Sequence, residues 1–142
     1  MSDRRFDDAV ALCKSGKNSR ANGAMYLGGI ALELLLKALL LEKHPWLQRP
    51  LFRRDKSRRE SALIDLCYKY HDLESLLGEL PELRARLLDT APTRWQREPL
   101  LQSIQRACSE WTIHIRYSTR QARIDDAESF LDRVKELRPW LR

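Results

Sequence analysis

The chain has 142 residues, the length of one domain with one hydrophobic core. Hydrophobic residues make up 43% and charged residues 32%, with five Gly and six Pro, which excludes a disordered chain and favours a soluble, helix-leaning fold. The net charge of +6 is concentrated in RPLFRRDKSRR, Arg49 to Arg59, where six basic residues and one acid (Asp55) give +5, so the remainder is close to neutral.

No stretch alternates as a strand would; apolar residues recur at three- and four-residue spacing throughout. A first helix is expected over Asp3 to Lys14, with Phe6, Val10 and Cys13 on one face, broken by SGKNS. The preceding residues, MSDRRFDDAV, hold acids and no apolar core, unlike a secretory signal. The second helix is expected from Arg20 to Lys43, stopping before Pro45. It is apolar nearly all round, so it suits the centre of a bundle or an interface with a second copy. Ala24, Gly28 and Ala31 share a face that would admit another helix closely. Glu33 and Lys37 interrupt its apolar run, and two central charges make a membrane span costly.

Residues 44–60 read as a basic connection. Arg49, Arg53, Arg54, Lys56, Arg58 and Arg59 could attract phosphate backbones, or could simply keep a mobile loop solvated. Only Trp46 and Phe52 are interleaved as aromatics. A third helix is expected over Glu60 to Tyr70, followed by HDLESLLGEL, where Asp72 could cap a new turn although Ser75 stands where a capping box would want Glu. Pro81 opens a short helix, PELRARLLD, and DTAP stops it. REPLLQSIQRACSEWTIHIRYS then predicts a long helix with the stripe Leu101, Ile104, Cys108, Trp111 and Ile115. A last helix should start at Asp125, with Glu128 as capping-box partner and Ile124 as staple, and bury Ala127, Leu131, Val134 and Leu137 before Pro139. Trp140 and Leu141 should fold back on the bundle. The expected whole is a single all-α bundle of five to six helices over residues 1–142.

Cys13, Cys67 and Cys108 are widely separated and lack zinc-ligand spacing, so buried inert thiols in a reducing cytoplasm are expected, with no metal and no cofactor. No phosphate-binding glycine loop or Ser-His-Asp arrangement is present. His71 and Asp72 are adjacent and cannot face each other on a helix, so a capping or packing role is expected for His71. His44 suits a helix C-terminus.

The order of YLGGIALELLLKALLLEKHP, HDLESLLGEL, a late helix ending in RY and a capped final helix resembles the HEPN family, small all-α domains of prokaryotic defence and toxin–antitoxin systems. The likeness covers almost the whole chain and rests on ALELLLKALL, with Glu33 and Lys37, and on HDL at 71–73. It implies a bundle that dimerises through its long helices. It further implies a binding or regulatory module that takes RNA or nucleotide, or pairs with a small nucleotidyltransferase. The alternative it carries is a metal-independent endoribonuclease, for which the family motif is an Arg, four to six residues, then a His. Here Arg106 and His114 are separated by seven residues, one too many, with Ser109 where a four-residue gap would want Arg. On a continuous helix Arg106, Glu110, His114 and Tyr117 would lie within roughly 80° of one another. There His114 could move a proton while Arg106 holds phosphate, or the group could be a plain surface ladder. Some family members are modified on a Tyr just after the His, the place Tyr117 occupies. Arg116 would point roughly 160° away from His114, and its expected partner is Glu33, because Glu33 and Lys37 need partners if buried. A purely structural interaction domain is the remaining reading.

Overall fold

The computed structural model describes residues 1–49, 56–90, 102–103, 106–108, 111–113, 115 and 118–141, with side chains except at 84 and 87–90. The described residues are helical, with no strand among them. Helix α1 spans Ser2–Lys14 and α2 spans Ala21–Lys43; α3 is Arg58–Tyr68, α4 Leu73–Gly78, α5 Pro81–Thr90 and α6 Ile124–Leu137. Short 3-10 turns at Asn18–Arg20, Pro45–Gln48 and Arg138–Leu141 join or close them.

The axis is α2, which contacts α1, α4, α6 and the flanking turns. Its leucines and alanines favour helix without side-chain penalty, and it ends where Pro45 forbids continuation, His44 N–H closing on the Leu40 carbonyl at 2.9 Å. By length and composition the stretch Asn18–Lys43 could cross a bilayer; here half of its apolar window is buried in the bundle. Chain reversal between α1 and α2 uses Gly16, whose φ of +66° a side chain would strain.

The close approach expected at the α2 glycines is present. A β-carbon at Gly28 would meet Leu131 Cδ2 at 2.5 Å, and one at Gly29 would overlap the Trp111 indole. Trp111 is therefore a buried wedge on the α2 backbone, and its indole N–H finds no acceptor among the described residues. The core runs from Phe6 and Ala9 through Leu32, Leu36 and Leu40 to Leu73, Leu76, Phe130, Val134 and Leu137. Leu141 is buried and Trp140 half-buried, so the C-terminal turn does fold back, tied down by Arg138, which pairs with Asp3 and lies 4.3 Å over the Phe6 ring.

Helices α1 and α2 start within one residue of the expected positions and α3 ends two residues early, at Tyr68; three further differences have a visible cause. First, α3 starts at Arg58, because Ser57 and Glu60 form a capping box: Ser57 N–H donates to Glu60 at 2.8 Å and Glu60 N–H to Ser57 Oγ at 3.2 Å. Arg58 and Arg59 thus belong to a helix, and the connection is shorter than residues 44–60. Second, α6 starts at Ile124 rather than Asp125. Asp126, not Glu128, accepts from the Arg123 N–H at 3.1 Å, and the Ile124 N–H is capped from far away by Asn18 Oδ1 at 2.9 Å. Third, the long late helix is not continuous. Residues 106–108 are helical, but Trp111 and Thr112 are not, and Ile113 and Ile115 lie in 3-10 geometry with Ile115 N–H on the Thr112 carbonyl at 3.1 Å. Seating Trp111 on Gly29 and placing the β-branched Thr112, Ile113 and Ile115 within four residues both work against an α-helix there.

Candidate nucleic-acid interface

Glu33 lies on the fourth turn of α2, on its buried side, with 5% of its side chain exposed. A carboxylate there must be paired, since an isolated buried charge is strongly unfavourable. Lys37, one turn on, brings its Nζ to 2.6 Å from Glu33 Oε1. The second partner is His71, whose Nδ1 is 3.1 and 3.0 Å from the two Glu33 oxygens. A carboxylate accepts, so Nδ1 donates, and the tautomer and orientation of the imidazole are fixed with Nε2 on the other side of the ring. Lys37 also donates to the Tyr70 carbonyl at 3.0 Å. The buried carboxylate and its lysine therefore pin the backbone and ring of residues 70 and 71, where α3 gives way to α4.

The turn that follows is held by Asp72, which accepts from the Ser75 N–H at 3.0 Å and the Ser75 hydroxyl at 2.6 Å. These bonds, the hydroxyl first, hold the Asp72 carboxyl below its ordinary range. Asp72 is the N-cap that its sequence position suggests, with Ser75 supplying both donors.

At the opposite end of α3 the surface is cationic. Lys56, Arg58 and Arg59 are exposed around the Ser57 cap, and Arg49 is exposed just beyond the Pro45–Gln48 turn. Arg59 reaches Glu79 at 3.9 Å; among the described residues Arg49, Lys56 and Arg58 form no ion pair. Two arginines in the first turn of a helix oppose the helix dipole, and a local rule broken in this way is more often found at functional surfaces than elsewhere. The two ends of the surface are joined by Tyr68, whose hydroxyl donates to the Leu47 carbonyl at 2.5 Å and docks α3 on the Pro45–Gln48 turn. Lys69 beside it pairs with Asp65 at 2.6 Å, and that hydrogen bond raises the lysine above its usual value.

Of the residues singled out from sequence, Arg53, Arg54, His114, Arg116 and Tyr117 lie outside the described residues, as does Glu110. Arg106 is exposed on the short helical piece 106–108. The shared flank proposed for Arg106, Glu110, His114 and Tyr117 assumes a helix through Trp111, and the chain has left the α-helix there. Among the described residues the partners of Glu33 are Lys37 and His71; the expected pairing with Arg116 lies outside them. Lys37 could be read from its i+4 spacing. His71, 38 residues on, carries no periodic signal of its partner.

The cysteines are all buried and free. Burial, then the charges of Glu74 and Asp72, pushes the Cys108 thiol up to about 12, which disfavours the reactive thiolate. Among the described residues no group of three His, Cys, Asp or Glu is placed to hold a metal ion. No family model, curated protein or solved structure matches the chain.

Proposed function

We propose that the protein is a HEPN-like binding module of a prokaryotic defence or toxin–antitoxin system, and that it binds RNA through its cationic surface. The observation that carries this reading is the exposed set Arg49, Lys56, Arg58 and Arg59, of which Arg58 and Arg59 stand in the first turn of a capped helix, Lys56 just before its cap and Arg49 just past the Pro45–Gln48 turn. Cations clustered in this way bind phosphates by releasing condensed counterions, a gain that no neutral ligand supplies. A nucleotidyltransferase partner fits the same family resemblance.

Dimerisation belongs to this reading, supported by α2. Leu27, Ile30 and Leu41, which touch the core, and Leu34 each keep part of their surface exposed at three- and four-residue multiples along one side of that helix, the pattern with which helices of two copies interlock. Light scattering on the purified chain should give twice the monomer mass, and Leu34→Glu should return it to monomer; a monomeric wild type sinks the dimer.

The binding test is a titration of a short fluorescent RNA at 50 and 200 mM salt. If all four cations meet phosphates, affinity should fall about 50-fold over that range, and replacing the four by Gln should flatten the log–log salt slope by about 3. Binding without salt dependence, or unchanged by the fourfold replacement, refutes the reading. Cleavage of the RNA without added metal, abolished by His114→Ala, would replace it with the nuclease reading.

A further inference from the structure

At the end of α3 away from Arg58 and Arg59 the structure exposes two large aromatic rings, Tyr68 (53% exposed) and Tyr70 (56%). Most half-buried apolar residues elsewhere pack on the core, whereas these two rings stand more than half in water. Tyr68 is fixed through its hydroxyl on the Leu47 carbonyl, which places the exposed Arg49 two residues from its anchor. Tyr70 is fixed through its main chain, since Lys37 donates to its carbonyl. The next ring, His71, is 40% exposed and locked by Glu33 through Nδ1. Three flat groups, at 68, 70 and 71, thus stand close together, one anchored on the Leu47 carbonyl and two on the Glu33–Lys37 pair.

We infer that Tyr70, flanked by Tyr68 and His71, is a stacking platform for unpaired bases, and that the RNA recognised is single-stranded. The inference rests on the RNA-binding reading above and adds the strand state. An aromatic face stacks on any base, but only on one that is not already stacked in a duplex. The phosphate path is consistent with this. Ten residues separate Arg58 from Tyr68, which puts them about 80° apart around α3 and about 15 Å apart along it, so a strand stacked at the tyrosines can lay its phosphates toward Arg58 and Arg49. Asp72 and Glu74, exposed just past His71, repel phosphate and set the other limit of that path. The flanking rings of Tyr68 and His71 are held before binding by their hydrogen bonds and so lose little conformational freedom on stacking, which favours affinity.

The test uses the full chain, a 12-nucleotide fluorescent oligoadenylate, and the same strand annealed to its complement. Wild type should bind the single strand more tightly than the duplex. Tyr70→Ala and Tyr70→Leu should each weaken single-strand binding by at least about fivefold, while Tyr70→Phe, which keeps the ring, should bind as wild type. Urea midpoints of the three variants should match wild type, since the Tyr70 side chain is mostly in water. If the RNA binds with the expected salt dependence but Tyr70→Ala binds as wild type, or the duplex binds equally well, the platform is overturned and the RNA reading stands. If wild type binds neither RNA, both fall.

Discussion

Replacing Lys37 by Met removes the cation nearest Glu33 and keeps an unbranched stem of similar reach. Two interactions go together: the 2.6 Å ion pair with Glu33 and the 3.0 Å hydrogen bond to the Tyr70 carbonyl. Glu33, 5% exposed, cannot regain its hydration. Removing one partner of a buried pair costs about 3–5 kcal/mol. Two facts place Lys37→Met at the low end, about 3 kcal/mol: His71 stays at 3.0 Å on the carboxylate, and Lys37 was itself 14% exposed. With a urea m-value of about 2 kcal/mol/M, the unfolding midpoint should drop by about 1.5 M. Replacing both charges, as Glu33→Leu with Lys37→Met, removes the stranded carboxylate and should recover to within about 1 kcal/mol of wild type. A single-variant shift under about 0.3 M, or a double variant no more stable than the single, would refute the claim that Glu33 depends on Lys37.

Gly29→Ala would bring a β-carbon into the Trp111 ring. It should therefore lower stability by about 2 kcal/mol despite a helix-propensity gain of about 1 kcal/mol, whereas Gly78→Ala, with open space around it, should be neutral or slightly stabilising; thermal melts check both, and equal effects would contradict the packing described. Asp72→Ala should cost about 1 kcal/mol at pH 7 by loss of the N-cap. Because Ser75 holds the folded Asp72 carboxyl below its unfolded value, that contribution is complete above about pH 4 and is lost as pH falls through the folded value. Urea curves of wild type and variant should therefore converge in acid, and a gap that persists at low pH would assign the loss to something other than the carboxylate.

What the sequence discloses divides along the line between local and distant interactions. The ends of α2 follow from Pro45 and the preceding break, and Asp72 reads as a cap because its acceptor and the Ser75 donors lie within four residues. The Ser57–Glu60 box is just as local, yet it is hidden inside a run of arginines whose charge suggests a loop. Distant partners leave no periodic trace. Nothing near Trp111 announces that it will lie on Gly29, 82 positions earlier, and that contact is what takes the late segment out of the helix its 3-4 spacing suggests. The same holds for His71 on Glu33, and for Asn18 capping Ile124 across 106 positions. The candidate surface was half legible for this reason: its cations form a contiguous run, while its aromatic rings become part of it only when Tyr68 docks on Leu47.

The asparagines at the start of α2 have a consequence for how the chain is made. Asn18 caps Ile124, and Asn22 accepts from the Ala122 N–H at 2.9 Å and donates to the Arg120 carbonyl at 3.1 Å, so the entry to α6 is set by residues written roughly a hundred positions earlier. Helices α1 and α2 can pair as soon as they leave the ribosome, but the side of α2 that receives Phe130 and Leu131 must wait for about 80 further residues. At about 5–20 residues per second that is about 4–16 s during which one of the most apolar surfaces of the protein stands uncovered. The nascent chain is the state in which this protein is most open to aggregation, and chaperone dependence should be greatest for variants that delay the docking of α6.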